Sequence, residues 1–197
     1  MDGTLVNSSL TIANAINYVR KNLGFEPMEQ NHILKHVNDP TINPAKFFYH
    51  APAFDTDHER WFSEYYTKNH ESELVLYEGI KPLLEELKAK GYKLAVATNA
   101  YRQSTLESLG HLKVLDLFDA IGCYDDVPDG KPEPDMLYKV LDEVGCSVEA
   151  SLFIGDGPRD EMAAKHAKMD YIMVDWGFTD HRDAVRSVEV LRGMLSI

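Results

Sequence analysis

Carboxylates beside small and hydroxyl residues stand at the start of the sequence and recur near its end. The first group is Asp2-Gly3-Thr4, an acid, a glycine and a hydroxyl in consecutive positions. This favours a strand that ends in a tight loop carrying chemistry, although a plain Asp-Gly turn has the same composition. Asp156 and Asp160 form a second group, with three residues between them. Hard oxygen ligands of this kind suit Mg²⁺, while the alternative for Asp160 is that it only complements a helix dipole.

Residues able to hold a phosphate lie in the middle of the chain. Thr98 can donate its hydroxyl, Asn99 adds an amide, and the backbone N–H groups beside them can cradle phosphate oxygens. A plain strand end is the alternative interpretation of this pair. Lys131, in Gly130-Lys131-Pro132, supplies a compact positive charge that would balance a carboxylate nucleophile and a phosphate together. These are the residue types that phosphoryl transfer needs, because it depends on positioning and charge neutralisation.

The elements that must position these residues alternate between helix and strand from Gly79 onwards. Apolar runs predict strands over residues 92–98, 120–124, 151–154 and 171–175, and helical spacing predicts helices over about 80–90, 102–109, 136–144 and 159–168. This alternation predicts an α/β fold with a doubly wound parallel sheet covered by helices on both faces. Ligands of such open sheets sit beyond the carboxyl ends of the strands, so Thr98, Asn99 and Asp156 are expected to converge on one rim.

The region between the opening motif and this alternation looks all-helical. Apolar residues at helical spacing predict a helix from Ser8 or Ser9 to Gly24, and shorter helical patterns surround Ile33 and Trp61. Residues 39–55 are interpreted as loop, with one helical turn over 45–49. We therefore predict an α/β core formed by residues 1–7 and 76–197 and an inserted helical cap over 8–75. The alternative is a crossover connection with extra helices.

Composition limits the partners and the compartment. The chain has 197 residues with 44% hydrophobic and 26% charged residues, which are ordinary globular values. A formal net charge of −12 argues against nucleic acid or an anionic membrane as the main partner. Cys123 and Cys146 are interpreted as two buried free thiols. With no signal peptide and no apolar run long enough to span a bilayer, we expect a cytoplasmic protein. The oligomeric state cannot be read from the sequence.

The order of the motifs resembles that of the haloacid dehalogenase superfamily of phosphohydrolases, along essentially the whole chain. The motifs that carry the resemblance are Asp2-Gly3-Thr4-Leu5-Val6, Val96-Ala97-Thr98-Asn99, Gly130-Lys131-Pro132-Glu133-Pro134-Asp135, and Phe153-Ile154-Gly155-Asp156-Gly157-Pro158-Arg159-Asp160. Two further segments, Tyr77-Glu78-Gly79 and Asp175-Trp176-Gly177-Phe178, are similar to the phosphoglycolate-phosphatase-like branch. The resemblance implies a Rossmann-like core carrying a small helical cap.

The resemblance also implies roles for the site residues. The family's first motif is Asp-x-Asp-Gly-Thr, and this sequence begins at the x, so that Asp2 matches the second aspartate. That position implies a general acid/base whose carbonyl also binds metal, while the nucleophilic aspartate is expected just upstream of Met1, on a first strand in mid-sheet. By the same resemblance, Mg²⁺ would be held by three aspartates and phosphate by four residues. The metal ligands are Asp2, Asp156 and Asp160, and the phosphate-binding residues are Gly3, Thr98, Asn99 and Lys131.

The resulting functional hypothesis is a Mg²⁺-dependent phosphatase that hydrolyses a small phosphorylated metabolite through an aspartyl-phosphate. Sugar phosphates and nucleoside monophosphates both remain open as substrates, because the cap sets substrate choice in the resembled family. One alternative is a phosphomutase on the same core. The other is a non-catalytic phosphate-binding or regulatory protein, which would follow if the chain truly starts at Met1 and lacks the nucleophile.

Overall fold

The computed structural model describes residues 1–37, 39, 41–177 and 181–196. The chain divides into two compact units, one formed by Met1–Val6 with Val75–Ile197 and the other by Asn7–Leu74. Pro40, in the predicted loop 39–55, and Phe178, the last residue of the Asp175-Trp176-Gly177-Phe178 segment, lie outside the described residues. Within the described part, no helix is both long and apolar enough to cross a membrane.

Among its described residues, the unit Asn7–Leu74 contains helices and their connections, apart from its first residue, which belongs to the short strand β1. An asparagine side chain caps α3 and an aspartate in a capping box begins α4, so local sequence explains these two helix starts, whereas the serine before α1 makes no capping hydrogen bond. The core of the unit gathers apolar side chains from α1, α2 and α3. The elements are β1 (Val6–Asn7), α1 (Ser9–Asn22), α2 (Gln30–Val37), α3 (Pro44–Tyr49) and α4 (Thr56–Glu73).

The second unit shows the predicted alternation of strand and helix. Its elements are β2 (Val75–Leu76), α5 (Ile80–Ala89), β3 (Ala95–Ala97), α6 (Arg102–His111), β4 (Ala120–Gly122), α7 (Asp135–Val144), β5 (Leu152–Gly155), α8 (Pro158–Ala167), β6 (Asp170–Met173) and α9 (Val188–Met194). The strands β3 and β4 pair in parallel and are connected through α6, and β5 and β6 pair in parallel and are connected through α8. Each pair is therefore a βαβ unit, as the sequence predicted.

The described ladders form three two-stranded sheets, β1 with β2, β3 with β4, and β5 with β6. No ladder in the described part of the chain joins β3 to β5, and the resemblance places the first strand of the family between these two strands. Helix α7 packs closely on β4, because a Cβ on Gly122 would lie 2.9 Å from side-chain carbons of Met136 and of Val140. Apolar residues of α7 and α8 pack together with Ala97 of β3 in one buried core cluster.

The structure corrects several details of the sequence interpretation. Strands β1 and β2 were not predicted, and Val75 had been assigned to the helical insert, because two residues are too few to show a strand periodicity. Helix α9 was also missed. The strand β3 spans only Ala95–Ala97, within the longer run predicted over 92–98. Both cysteines are free, but Cys146 is only partly buried because it follows the end of α7 in a loop.

Candidate active site

The predicted site residues lie at the carboxyl ends of β3 and β5 and on the loops beside them. Thr98 directly follows β3, Asp156 directly follows β5, and Asp160 lies in the first turn of α8. Contacts between side chains connect these positions to the first loop and to Lys131, as described below. The parallel strands therefore bring residues that are distant in sequence to one edge, as expected for an open α/β sheet.

Lys131 is the centre of the charge network. Its side chain is 7% exposed, and Nζ donates to Asp160 Oδ1 at 2.5 Å and to the carbonyl of Ala97 at 2.9 Å. The Phe153 ring lies 5.4 Å from Nζ, at cation–π distance. The backbone of the lysine is also fixed, because Asn99 accepts from its N–H at 2.9 Å and donates to its carbonyl at 2.8 Å. The ammonium is thus held in one position by both its side chain and its backbone.

Asp160 bridges the lysine and the end of β5. While Oδ1 accepts from Lys131, Oδ2 accepts from the backbone N–H of Asp156 at 3.2 Å. This approach requires a glycine at position 155, since a Cβ there would lie 2.5 Å from Asp160 Cβ. Both oxygens of Asp160 therefore already have partners within the chain, which favours a supporting role over direct metal ligation.

Asp156 makes the link to the first loop. Its Oδ1 accepts from the hydroxyl of Thr4 at 2.9 Å. Gly3 lies so close that a Cβ on it would be 2.0 Å from Asp156 Oδ2, and its φ of 74° is in the left-handed region. Removal from water and the neighbouring negative charge of Asp160 raise the pKa of Asp156 to about 6. The position therefore holds a carboxylate whose charge the fold only partly compensates.

Asp2 presents the clearest unsatisfied group of the site. Its Oδ1 is buried and has no hydrogen-bond partner among the described residues. An unpaired buried carboxylate oxygen is unfavourable, and a cation would satisfy it. The carbonyl of Met1 accepts from the N–H groups of Thr4, Leu5 and Val6 at 2.8–3.2 Å, which fixes the loop that carries Asp2.

The donor set fits a hard divalent cation of the Mg²⁺ type. Asp156 Oδ2 and the backbone carbonyl of Asp2 accept no hydrogen bond among the described residues, and Mg²⁺ commonly takes one or two carboxylates with water and substrate phosphate as its other ligands. The part of the chain that the structure describes contains no group of three or more His, Cys, Asp or Glu side chains able to hold a metal ion. A site of one carboxylate and one backbone carbonyl, completed by other oxygens, remains compatible with that observation.

Thr98 and Asn99 offer hydrogen-bond donors at the end of β3. The backbone N–H of Thr98 is used in the sheet, where it donates to Gly122 at 3.0 Å, and its hydroxyl accepts from the N–H of Ala100 at 3.2 Å. The hydroxyl proton remains available for donation. The N–H of Asn99 has no acceptor among the described residues, so the usable backbone donor is that of Asn99 rather than that of Thr98.

Two supporting contacts escaped the sequence interpretation. His166, near the end of α8, donates from Nδ1 to the carbonyl of Pro132 at 3.0 Å, and Trp176 Nε1 donates to the carbonyl of Thr4 at 2.9 Å. Both contacts connect residues more than thirty positions apart, and the acceptors are backbone carbonyls. Neither leaves a signal in local sequence, because any residue offers the same carbonyl.

Comparisons with known proteins identify the family. The model of a family described as "Haloacid dehalogenase-like hydrolase" matches residues 1–174. A phosphoglycolate phosphatase of Aquifex aeolicus is 29% identical over 178 residues, which cover 90% of this chain and 83% of that protein. The pyrophosphatase PpaX of Bacillus cereus is 27% identical over 179 residues, covering 89% of this chain and 81% of the relative.

The fold is shared with solved structures. The crystal structure of a predicted phosphatase from Clostridium acetobutylicum superposes with a TM-score of 0.85, covering 100% of this chain and 96% of that one. Its sequence identity is 24%, so this likeness shows the fold alone. The predicted α/β fold class is thereby confirmed.

Proposed function

Because the chain belongs to the haloacid dehalogenase-like hydrolase family, we propose that this phosphatase hydrolyses a small phosphorylated metabolite through an aspartyl-phosphate intermediate, with Mg²⁺ as its cofactor. The observation that supports this most strongly is the network in which Lys131 contacts Asp160 while Asp156 contacts the Asp2-Gly3-Thr4 loop. A fixed ammonium, together with two carboxylate oxygens and a backbone N–H that have no hydrogen-bond partner among the described residues, provides the charges and donors that phosphoryl transfer requires.

In the proposed reaction, each residue of the chain acts at a stated atom. The Thr98 hydroxyl and the Asn99 N–H bind phosphate oxygens, and Lys131 balances the negative charge of the phosphate. The nucleophilic aspartate is expected in the residue encoded directly before Met1, where its carboxylate oxygen would attack phosphorus while the bond to the leaving oxygen breaks. Asp2 gives its proton to that oxygen and later takes one from water. Attack of this water on phosphorus then breaks the phosphorus–aspartate bond and releases inorganic phosphate.

The cation would be held by the Asp156 carboxylate and by the backbone carbonyl of Asp2, which leaves the Asp2 carboxyl for the proton transfers. When bound, it supplies positive charge that stabilises the negative oxygens of the transferring phosphoryl group. Asp160 supports this arrangement by fixing Lys131 and the backbone of Asp156. The relatives act on phosphoglycolate and pyrophosphate according to their names, which makes both compounds part of any substrate panel for this protein.

The test measures phosphate release by the product of the complete reading frame against a panel of phosphomonoesters. We expect Lys131→Ala and Asp156→Asn each to lower kcat/KM by at least about 100-fold, because each removes a charge that is needed in the transition state. Near-normal turnover in either variant would show that the site is misplaced.

Further measurements separate the alternatives. Reading the codons directly before Met1 decides whether an aspartate precedes it, and acid quenching during turnover should trap a phosphorylated protein that hydroxylamine cleaves. Free phosphate released without a bisphosphate activator would exclude a phosphomutase. Ligand binding without hydrolysis by the complete protein would instead support a non-catalytic phosphate-binding role.

A further inference from the structure

Two exposed tyrosines lie beside the proposed phosphate cradle. Tyr101 is 61% exposed and Tyr124 is 47% exposed, although both are large and mostly apolar. Their ring centroids are 5.7 Å apart, with an interplanar angle of 69° in an edge-to-face arrangement. In that arrangement the ring whose edge makes the contact keeps both of its faces uncovered by its partner. The phosphatase mechanism proposed above uses neither tyrosine.

Both tyrosines are neighbours of the proposed phosphate-binding residues, one in sequence and the other in space. Tyr101 follows Asn99 by two positions, which limits their Cα separation to roughly 7 Å. Tyr124 lies against Gly130, the residue before Lys131, since a Cβ on this glycine would be 2.7 Å from Tyr124 Cδ2. The same Cβ would be 3.0 Å from Asn99 Oδ1. The pair therefore borders the cradle on both of its loops.

The loops that carry the pair are rigidly joined. The N–H of Tyr124 donates to the carbonyl of Ala100 at 3.0 Å, and the N–H of Arg102 donates to Asp125 at 2.8 Å. The guanidinium of Arg102 makes two bonds to the Asp126 carboxylate, at 2.7 and 2.5 Å. Exposed aromatic rings fixed in this way bind a flat partner without a large loss of conformational freedom.

The charged residues around Tyr101 and Tyr124 determine whether a charged or an uncharged group binds there more favourably. Asp125 and Asp129 lie in the turn after Tyr124, while Asp126 and the nearby Arg102 neutralise each other through their paired contacts. A second phosphate or a carboxylate placed over the rings would meet the negative charge of Asp125 and Asp129, and no cation among the described residues forms an ion pair with either. An uncharged flat ring meets no such penalty and gains stacking contacts.

We infer that Tyr101 and Tyr124 contact a planar, uncharged ring in the leaving group, so that the substrate class is a ring-bearing phosphomonoester such as a nucleoside monophosphate. This inference rests on the proposed phosphatase function and narrows its substrate. It favours ring-bearing esters over compounds such as phosphoglycolate, whose second acidic group would lie close to the acidic turn.

The test compares adenosine 5′-monophosphate with ribose 5-phosphate, which carries the same ester without the base, in the product of the complete reading frame. Stacking of one base on aromatic side chains corresponds to about a 5- to 150-fold effect, so kcat/KM should favour the nucleotide within that range. Tyr101→Ala and Tyr124→Ala should each lower the nucleotide value by at least about 5-fold and change the ribose 5-phosphate value less than about 2-fold. Tyr101→Phe should retain the preference, since the ring remains.

The control is Tyr92→Ala, which removes a tyrosine of 50% exposure that precedes β3 at the opposite end of the strand. It should leave both substrates unaffected. Equal kcat/KM for the two esters, or equal losses for both in the alanine variants, would overturn the inference while phosphatase activity itself stands. If neither ester is hydrolysed, the proposed function fails on those substrates, and calorimetry still decides the inference. Tighter binding of the nucleotide that Tyr101→Ala abolishes would support it, and equal binding of both esters would refute it.

Discussion

Some residues of the candidate site matter because they carry a charge, and others because they have no side chain and so leave room for a charged neighbour. Gly3 and Gly155 are the two positions where an added Cβ would overlap an active-site carboxylate, at 2.0 Å from Asp156 Oδ2 and 2.5 Å from Asp160 Oδ2. These glycines let the backbone come directly against Asp156 and Asp160. The charge network therefore depends on missing side chains, and substitutions there should be more harmful than their distance from the chemistry suggests.

Gly3→Ala tests this requirement. The added methyl group would displace the Asp156 carboxylate, and the positive φ of 74° adds backbone strain. We expect a loss of at least about 2 kcal/mol in the free energy of unfolding, together with loss of activity. Urea denaturation and a phosphatase assay measure the two effects.

Gly91→Ala is the matched control for Gly3→Ala. Gly91 has a φ of 86°, and a Cβ there would meet nothing within 4 Å, so this variant carries only the backbone strain. It should cost about 1 kcal/mol and leave activity unchanged. Similar behaviour of the two variants would show that contact with Asp156 is unimportant.

Secondary structure elements bring these residues together, and α8 contacts both the side chain of Lys131 and the loop that carries it. Asp160 in its first turn contacts the ammonium, and His166 near its end contacts the carbonyl of Pro132, the next residue in the lysine loop. One helix thus fixes that loop at two points along its length. A substitution at the end of α8 should therefore change the position of Lys131.

His166→Ala should reduce kcat by about 3- to 10-fold with a smaller effect on KM, because it removes one hydrogen bond worth about 1 kcal/mol from a loop that carries a catalytic group. His166→Gln, which can still donate to the carbonyl, should recover most of the loss. Lys165→Ala, at the neighbouring exposed position, provides the control and should have no effect. Steady-state kinetics at saturating Mg²⁺ distinguish these outcomes, and an unaffected kcat in His166→Ala would exclude the positioning role.

Asp119 fixes the start of β3 to α5. Its carboxylate accepts from Lys88 Nζ at 2.8 and 2.9 Å and from the backbone N–H of Leu94 at 2.8 Å. The hydrogen bond from Lys88 and then that from Leu94 hold the pKa of Asp119 below its ordinary value. A lowered pKa in the folded state contributes stability above the ordinary range near pH 4, and this contribution is lost as pH falls through the folded-state pKa.

Asp119→Asn should therefore destabilise the protein by about 1 kcal/mol at pH 7, and the difference from the unsubstituted protein should shrink below about pH 4. Chemical denaturation at a series of pH values measures it. Asp116→Asn replaces another aspartate close by in sequence, one without a hydrogen bond or ion pair in the described structure, and should show no such dependence. A difference for Asp119→Asn that stays constant with pH would mean that the carboxylate charge is unimportant.

At the scale of the whole molecule, the charge balance opposes the proposed substrates. The chain carries 32 Asp and Glu residues against 20 Lys and Arg residues, for a formal net charge of −12. A phosphate dianion therefore approaches against the net field, and the positive groups of the site act only at short range. Dissolved salt weakens the long-range repulsion between the net charge and the phosphate more than it weakens the short-range attraction within the buried site.

Raising ionic strength from about 10 to about 150 mM at constant free Mg²⁺ should increase kcat/KM by about 2-fold for a dianionic ester such as ribose 5-phosphate, since the Debye length shortens. The increase should be larger for phosphoglycolate, which carries an additional negative charge. Initial-rate measurements at substrate concentrations well below KM provide the comparison. A decrease for both compounds would show that local positive charge, rather than the net charge, governs their approach.

Residue types and spacing were enough to predict the fold class and most of the helices. Helix α1 follows Ser8 and ends just before Gly24, and α7 ends at Gly145, because capping and stop residues are local signals. The four strands from β3 to β6 were located by short apolar runs. The strands β1 and β2 were missed, since two residues gain their strand geometry from pairing rather than from their own sequence.

The sequence by itself determined which groups are available for chemistry: Asp2, Asp156 and Asp160 as carboxylates, Lys131 as the cation, and Thr98 with Asn99 beside a strand end. Charge, hydrogen-bonding capacity and the order of motifs are properties of the residues themselves, so they can be read without coordinates. Only the tertiary structure decided which of these groups pair. It turned both Asp160 oxygens towards partners in the chain and left Asp2 Oδ1 without a hydrogen-bond partner in the part of the chain that the structure describes. It also brought His166 to Pro132, because such contacts depend on the path of the folded backbone rather than on any residue's own preference.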